Sequence, residues 1–375
     1  MKLVAKIRLD ANTEQAKLLL RTLETANECA NWMSNQAWEY KVFTPFSLHK
    51  IVYREARERF PLSSQVVVRL LSKVCDAYKK DKKVMRRFSK HGAISYDSRI
   101  LSYGENRVSI WTLDGRESIP YSAGPRQKEL LKHQHGESDL IYSRGKWYLA
   151  ATCDITDPPQ EVVDDWLGVD LGVAEIAADS DGQAFSGSTV KGIRYRHRKL
   201  RSKLQAAQSR SAKRHLKKLS GKEARFATDV NHCIAKQIVV KAKRTKRGIS
   251  IEDLTGIRQR IRARRPHRAV LHSWAFAQLG EFLTYKCVLA GVPLVKVDPR
   301  NSSRECSNCG HTEKLNRPSQ SKFRCRSCGY TANADYNAAL NLRGRASVNR
   351  PIVERLPDSS GGFQPQLQAT CFSEW

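Results

Sequence analysis

Leu167-Gly-Val-Asp170-Leu-Gly-Val173 is an apolar run with one carboxylate inside it. A short apolar run bounded by turn residues reads as a strand. An acid there is costly unless it binds something. The chain turns back through Asp179-Ser-Asp-Gly182, which predicts a strand–turn–strand over 166–187. Two long basic helices are expected to about 246, then a strand over 248–252 that also ends on an acid, Ile249-Ser-Ile-Glu252-Asp-Leu254. A basic connection, a helix over 273–290 and a strand over 293–297 follow. A third acid, Asp335, opens a helix over 335–346 in Asn333-Ala-Asp335-Tyr-Asn-Ala-Ala-Leu-Asn341.

Asp170, Glu252 and Asp335 are separated by 82 and 83 residues, so only folding can bring them together. A strand-end Asp, a neighbouring strand-end Glu and a helix Asp can form one carboxylate cage. Such a cage would hold two Mg²⁺ or Mn²⁺ ions roughly 3.5–4 Å apart, one activating water and one stabilising the leaving oxygen of a phosphodiester. The plain alternatives are that Asp335 caps its helix and that Glu252 pairs with an arginine. Asp253, beside Glu252, is expected on the opposite face of the strand.

The second constellation is Cys306-Ser-Asn-Cys309, fifteen residues, then Cys325-Arg-Ser-Cys328, each pair followed by glycine. Zinc takes four tetrahedral ligands, with sulfur at about 2.3 Å. A two-residue gap lets both thiolates of a knuckle reach one ion, and the glycine permits the left-handed turn. Four protein ligands make one structural zinc, closed to substrate. His311 is a competing ligand, and two disulfides are the bland alternative. The other six cysteines, Cys29, Cys75, Cys153, Cys233, Cys287 and Cys371, read as buried hydrophobes or inert thiols.

The length, 375 residues, allows two or three domains. The net charge is +29, with a pI near 9.9. A chain this basic repels itself unless its partners are polyanions, which argues against an ordinary metabolic enzyme. The charge is localised: residues 191–270 carry 26 Lys+Arg and 4 Asp+Glu. That pattern suggests a groove or helix face for nucleic acid. No apolar stretch approaches the roughly 18–20 residues of a spanning helix, and residues 1–8 lack the apolar core of a signal peptide. A cytoplasmic, nucleoid-associated protein is expected, with no membrane partner.

Toward the N-terminus, residues 2–9 alternate as a strand. Asn12-Thr-Glu-Gln15 is a capping-box start for a helix to about Tyr40. Further helices are expected over 47–59 and 63–90. From 93 to 156 the period becomes two, with a hairpin about Arg144-Gly145. The opening strand can pair with this β region, making 10–91 an inserted helical module. Trp32, Trp38, Tyr40 and Phe43 are core residues or a platform for stacking bases. Residues 347–375 have no periodicity and read as a disordered tail.

The succession Gly168-Val-Asp170-Leu-Gly, Ile251-Glu252-Asp-Leu, Ser302-Ser-Arg-Glu-Cys306-Ser-Asn-Cys309-Gly, Cys325-Arg-Ser-Cys328-Gly and Ala334-Asp335-Tyr-Asn-Ala-Ala-Leu-Asn resembles the TnpB proteins of bacterial and archaeal insertion sequences. These are relatives of the compact type V CRISPR effectors. The resemblance implies an α+β multidomain protein. Its parts would be a wedge β-barrel (1–9 and 92–157) interrupted by a helical recognition domain (10–91), and an RNase H-like (RuvC) α/β nuclease domain (160–298 and 332–346) with a zinc-ribbon insertion (299–331). The family's catalytic triad falls on Asp170, Glu252 and Asp335, and its zinc ligands on Cys306, Cys309, Cys325 and Cys328. The implied activity is cleavage of target double-stranded DNA beside a short adjacent motif, directed by a transposon-derived guide RNA, by a monomer or weak dimer. A nuclease-inactive nucleic-acid-binding regulator and a strand-transfer transposase are the alternatives.

Overall fold

The computed structural model describes residues 1–172, 174–255 and 276–348, and the chain divides into two compact units after Thr156. The expected tail beyond 348, the connection over 256–275 and the first residues of the 273–290 helix lie outside the described residues.

In the first unit, β1 (Lys2–Leu9) buries Leu3, Ala5, Ile7 and Leu9, the alternation its sequence predicts. It begins a seven-stranded antiparallel sheet with β2 (Ile94–Tyr96), β3 (Leu101–Tyr103), β4 (Arg107–Thr112), β5 (Gly115–Ser122), β6 (Gln134–Ser143) and β7 (Lys146–Asp154). The order is β2-β6-β7-β1-β5-β4-β3. The opening strand therefore joins the 93–156 region, as expected, pairing with β7 along its length and with β5 at Arg8 and Leu9.

Between β1 and β2 come α1 (Thr13–Glu39), α2 (Pro45–Arg59) and α3 (Ser64–Lys79), and the short α4 (Pro125–Leu131) lies between β5 and β6. Asn12 and Gln15 form the expected capping box. Helix α3 stops about ten residues before the sequence reading had it. Continuing it would stack Lys79 on Lys83 and Lys82 on Arg86, like charges one turn apart. Instead α1 side chains hold the following backbone: Ser34 Oγ donates to Arg86 O (2.6 Å), Asn31 exchanges two bonds with Phe88, and Asn27 Nδ2 donates to Gly92 O (2.8 Å). Three of the four aromatic residues near the α1–α2 corner serve the core. Trp32 packs on Phe60, Trp38 stacks on Tyr78, and Phe43 lies 4.5 Å from Tyr78. Tyr40 is the exposed one, at 56%.

The second unit carries a five-stranded sheet of order β10-β9-β8-β11-β12. Its strands are β8 (Trp166–Asp170), β9 (Glu175–Asp179), β10 (Ala184–Ser186), β11 (Gly248–Glu252) and β12 (Leu294–Val297). β8, β11 and β12 run parallel, while β9 and β10 fold back antiparallel. In β8 and β11 the first four residues are buried and the acid at the end is half-buried. Strands sandwiched on both faces read as continuous apolar runs, which is why both stood out in the sequence.

The basic segment forms three helices rather than two: α5 (Ser188–Ala207), α6 (Arg210–Leu219) and α7 (Lys222–Arg244). Gln208 takes a left-handed conformation, Ser209 caps α6 by accepting from Ala212 N, and Gly221 turns the chain at φ 78°. A serine N-cap inside so charged a run is easily overlooked. Helix α5 buries only Val190, and most of its cations face outward. Some are paired: Glu223 of α7 meets Arg201 at 3.1 Å and Arg194 at 3.4 Å.

Helix α8 (Phe276–Ala290) leads to β12, and α9 (Ala334–Val348) crosses the sheet. Gly168 makes that crossing close. A Cβ there would lie 2.0 Å from Ala339 O, so no other residue lets α9 rest on β8. Ser250 Oγ donates to Leu342 O and fixes the same helix over β11. At the sheet's other side, buried Asp179 accepts Lys241 Nζ at 2.5 Å and the N–H groups of Asp181 and Gln183. Arg247 grips Asp181 with two bonds and holds that carboxyl well below the usual range.

Candidate active site and four-cysteine metal centre

The register that pairs Ile251 with Val169 brings Glu252 alongside Asp170 at the same ends of adjacent parallel strands. The third acid arrives on α9, whose first turn carries Asp335. Asn333 caps that helix, its Oδ1 accepting from the N–H of Asp335 (2.8 Å) and Tyr336 (3.2 Å). Asp335 is thus released from the capping role that was its plain alternative. Its side chain instead accepts from Arg317 Nη2 at 3.1 Å.

Asp170 feels both of the other acids. Burial raises the Asp170 carboxyl well above its ordinary range, and the charges of Glu252 and Asp335 raise it further, with Arg317 opposing. Burial also raises Glu252, against a hydrogen bond from Ser302 and the charges of Arg345 and Arg317. Asp335 is raised by burial and eased by Arg317. Buried carboxylates that repel one another are stabilised by a shared cation, and an all-oxygen donor set suits hard divalent ions such as Mg²⁺ or Mn²⁺. Asp253 takes no part; its carboxylate accepts from the backbone N–H and hydroxyl of Thr255.

Arg317 and Ser302 were not singled out from sequence. Arg317 follows a short 3₁₀ turn (Lys314–Asn316), and Ser302 Oγ donates to Glu252 Oε1 at 2.5 Å. One arginine among many carries no sequence signal. Ser302 lay inside the quoted run before Cys306, but nothing there marks a hydroxyl as facing an acid.

The four cysteines form a second cluster, with their Sγ atoms all within 4.8 Å of one another. Cys306 and Cys328 are 3.7 Å apart and Cys309 and Cys325 are 3.6 Å apart. Thiolates at about 2.3 Å from a central ion stand about 3.8 Å from each other, whereas a disulfide needs about 2.05 Å. The spacing is that of a metal centre. Gly310 (φ 75°) and Gly329 (φ 74°) close the two knuckles, each donating its N–H to the carbonyl of the first cysteine of its pair. His311 stands apart from the cluster and contacts Glu313 at 3.3 Å. The Tyr330 N–H lowers the Cys328 thiol to about 6, while burial pushes the Cys306 thiol up to about 12. The strands β13 (Lys322–Arg324) and β14 (Thr331–Asn333) link this centre directly to α9. Of the remaining cysteines, Cys29, Cys75, Cys153 and Cys287 are buried, as expected of small apolar residues, Cys233 is only partly buried, and Cys371 lies outside the described residues.

Comparison with known proteins adds an independent line. Residues 151–256 match a family of probable transposases, OrfB of IS605, and residues 276–342 match the Cas12f1-like TNB domain. The CRISPR-associated endodeoxyribonuclease Cas12f1 of Sulfoacidibacillus thermotolerans is 33% identical over 247 residues, 60% of this chain and 56% of that protein. A TnpB-like protein of Methanocaldococcus jannaschii is 33% identical over 96 residues, 25% of this chain and 34% of that protein. The chain thus spans about half or less of these curated relatives. In fold it is similar to the Cas12f1 of a complex with sgRNA and target DNA, with a TM-score of 0.61 at 17% identity, covering 88% of this chain and 83% of that one. The segment 151–256 holds Asp170 and Glu252, and the segment 276–342 holds Asp335 and the four cysteines.

Proposed function

We propose that this protein is an RNA-guided DNA endonuclease encoded by a transposable element. The observation that carries the reading is the approach of Glu252 and Asp335, from two elements far apart in sequence, to the buried Asp170, whose carboxyl their charges raise. The strand order β10-β9-β8-β11-β12, with β9 antiparallel, supports an RNase H-like (RuvC) domain over 160–298 and 332–346. The four cysteines would make 299–331 a zinc-binding insertion. The seven-stranded sheet and the helices inserted after β1 support the wedge barrel and recognition domain.

In this reading Asp170, Glu252 and Asp335 hold two divalent ions. Those ions supply an activated water and a Lewis acid for the leaving oxygen of a phosphodiester. Asp170, on which both other acids act, would be the carboxylate best placed to serve both ions. Arg317 opposes the effect of burial on Asp335 and offers a cation where a phosphate would arrive. The cations of α5 and α6 lie outward, as a channel for phosphates needs, while base pairing reads the sequence.

Sequencing the RNA that copurifies with the protein, then supplying that RNA with altered guide segments, tests the proposal. Mg²⁺-dependent cutting should move with the guide. Cutting fixed at transposon ends, or none with any RNA, would exclude it. A second expectation follows from the charge. If about eight phosphates are contacted, each tenfold rise in salt should weaken RNA binding by about five to six decades. A binding constant that barely changes between low and high salt would remove the electrostatic channel.

A further inference from the structure

We propose that Ser302 is a positioning residue for Glu252, and that α9 sets Ser302 through Asn341. The proposal rests on the acid cluster being a divalent-ion site and adds to it how the second carboxylate is held.

Ser302 is 4% exposed. Its Oγ lies 2.5 Å from Glu252 Oε1 and 3.1 Å from Pro299 O. A hydroxyl has one proton, and the shorter, charged acceptor takes it. Glu252 is the last residue of β11, so its long side chain projects past the end of the sheet. Unrestrained, that side chain would lose rotamer freedom each time it closed on an ion. The bond from Ser302 removes that freedom in advance and leaves the other oxygen to ligate.

What fixes Ser302 is a grip made by three residues spaced four apart on α9. Asn341 Nδ2 donates to Ser302 O and to Glu305 O, both at 2.8 Å. Asn337, fully buried, donates to Glu305 O (2.8 Å) and accepts from Ser307 N (3.1 Å). Arg345 pairs with the Glu305 carboxylate and donates to Asp298 O. Residues i, i+4 and i+8 share one helix face, so a single face holds the backbone from 298 to 307. The same helix carries Asp335. Helix α9 thereby places one carboxylate directly and a second through Ser302, and the spacing between them is set by one rigid element.

The test compares Ser302→Ala, Ser302→Thr and Glu252→Ala in the full protein–RNA complex. Mn²⁺ binding without DNA is followed by the electron paramagnetic resonance of free Mn²⁺, beside the Mg²⁺ dependence of cleavage and the zinc content. Removing an outer partner of a metal ligand typically costs 10–100-fold in metal affinity. Ser302→Ala should weaken Mn²⁺ binding and raise the Mg²⁺ midpoint by about tenfold or more. Ser302→Thr, which keeps the hydroxyl, should restore both, with zinc unchanged throughout. Wild-type Mn²⁺ affinity in Ser302→Ala, with Glu252→Ala defective, would overturn this inference alone. Wild-type Mn²⁺ affinity in Glu252→Ala would overturn the acid cluster as an ion site. Loss of zinc in Ser302→Ala would assign the hydroxyl to folding the cysteine segment, and so also overturn it.

Discussion

Asp170→Ala is expected to abolish DNA cleavage while leaving RNA-directed DNA binding intact. Asp170 ends β8 between two other carboxylates, and its removal takes away the ligand both ions would share. The attacking water then loses its activation and the leaving oxygen its Lewis acid, so the rate should fall by orders of magnitude. Binding depends on base pairing and on Lys and Arg contacts along α5 and α6, which the change does not touch. One negative charge leaves the neighbourhood of a phosphate, so affinity should stay level or rise slightly. The structure adds a second readout. Asp170 is held against burial and against Glu252 and Asp335, so deleting it relieves repulsion. The melting temperature should therefore hold or increase, as when a strained functional site is neutralised. Glu252→Ala and Asp335→Ala should also be inactive, and a double change should be little worse than a single one, because the cage acts as a unit. A plasmid-cleavage assay beside a binding assay and a melt on the same preparation decides. Substantial residual cutting, or binding lost in step with cutting, would sink the assignment.

The acids were legible because each broke a local rule. Asp170 and Glu252 end short buried runs that are apolar apart from Ser250, and an acid in such a place stands out against its surroundings. The cysteine spacing was legible because ligand geometry restricts it so tightly. The partners of these residues were not. Arg317, Ser302, Asn337 and Asn341 obey their local rules: a loop arginine, a loop serine and two asparagines on a helix. Their roles come from the third dimension, where Gly168 lets α9 press onto β8 and brings its polar face against 298–307. Where the reading of helices erred, side chains had overridden periodicity. Asn27, Asn31 and Ser34 claim the backbone after α3, and Ser209 starts a new helix inside a basic run.

Replacing Cys306 by Ser should have the other large effect: loss of one zinc per chain and unfolding confined to 299–331. Past residue 307, where the bonds from α9 to its backbone end, the segment has little else to hold it. Its apolar cluster is Cys306, Phe323, Cys325 and Ala334, with Tyr330 packed against it, and two of those four are the ligands themselves. Its strands are three residues each. A core this small contributes a few kcal/mol, against roughly 1–2 kcal/mol of backbone entropy for every residue ordered. Structural zinc contributes about 10–16 kcal/mol in small zinc domains, which is enough to decide the outcome. The sheet of β8 to β12 should survive, because its packing against α9 through Trp166, Val295, Val297, Leu342 and Ala346 does not include the cysteine segment. Limited proteolysis should therefore cut within 299–331 and leave the remainder protected. Cleavage activity should fall as well, since Arg317, which touches Asp335, sits on the part that comes free. Cys325→Ser should match it. Elemental analysis gives the metal count, and a well-folded wild-type protein without zinc, or a Cys306→Ser variant that keeps its ion and its protection, would refute the structural role.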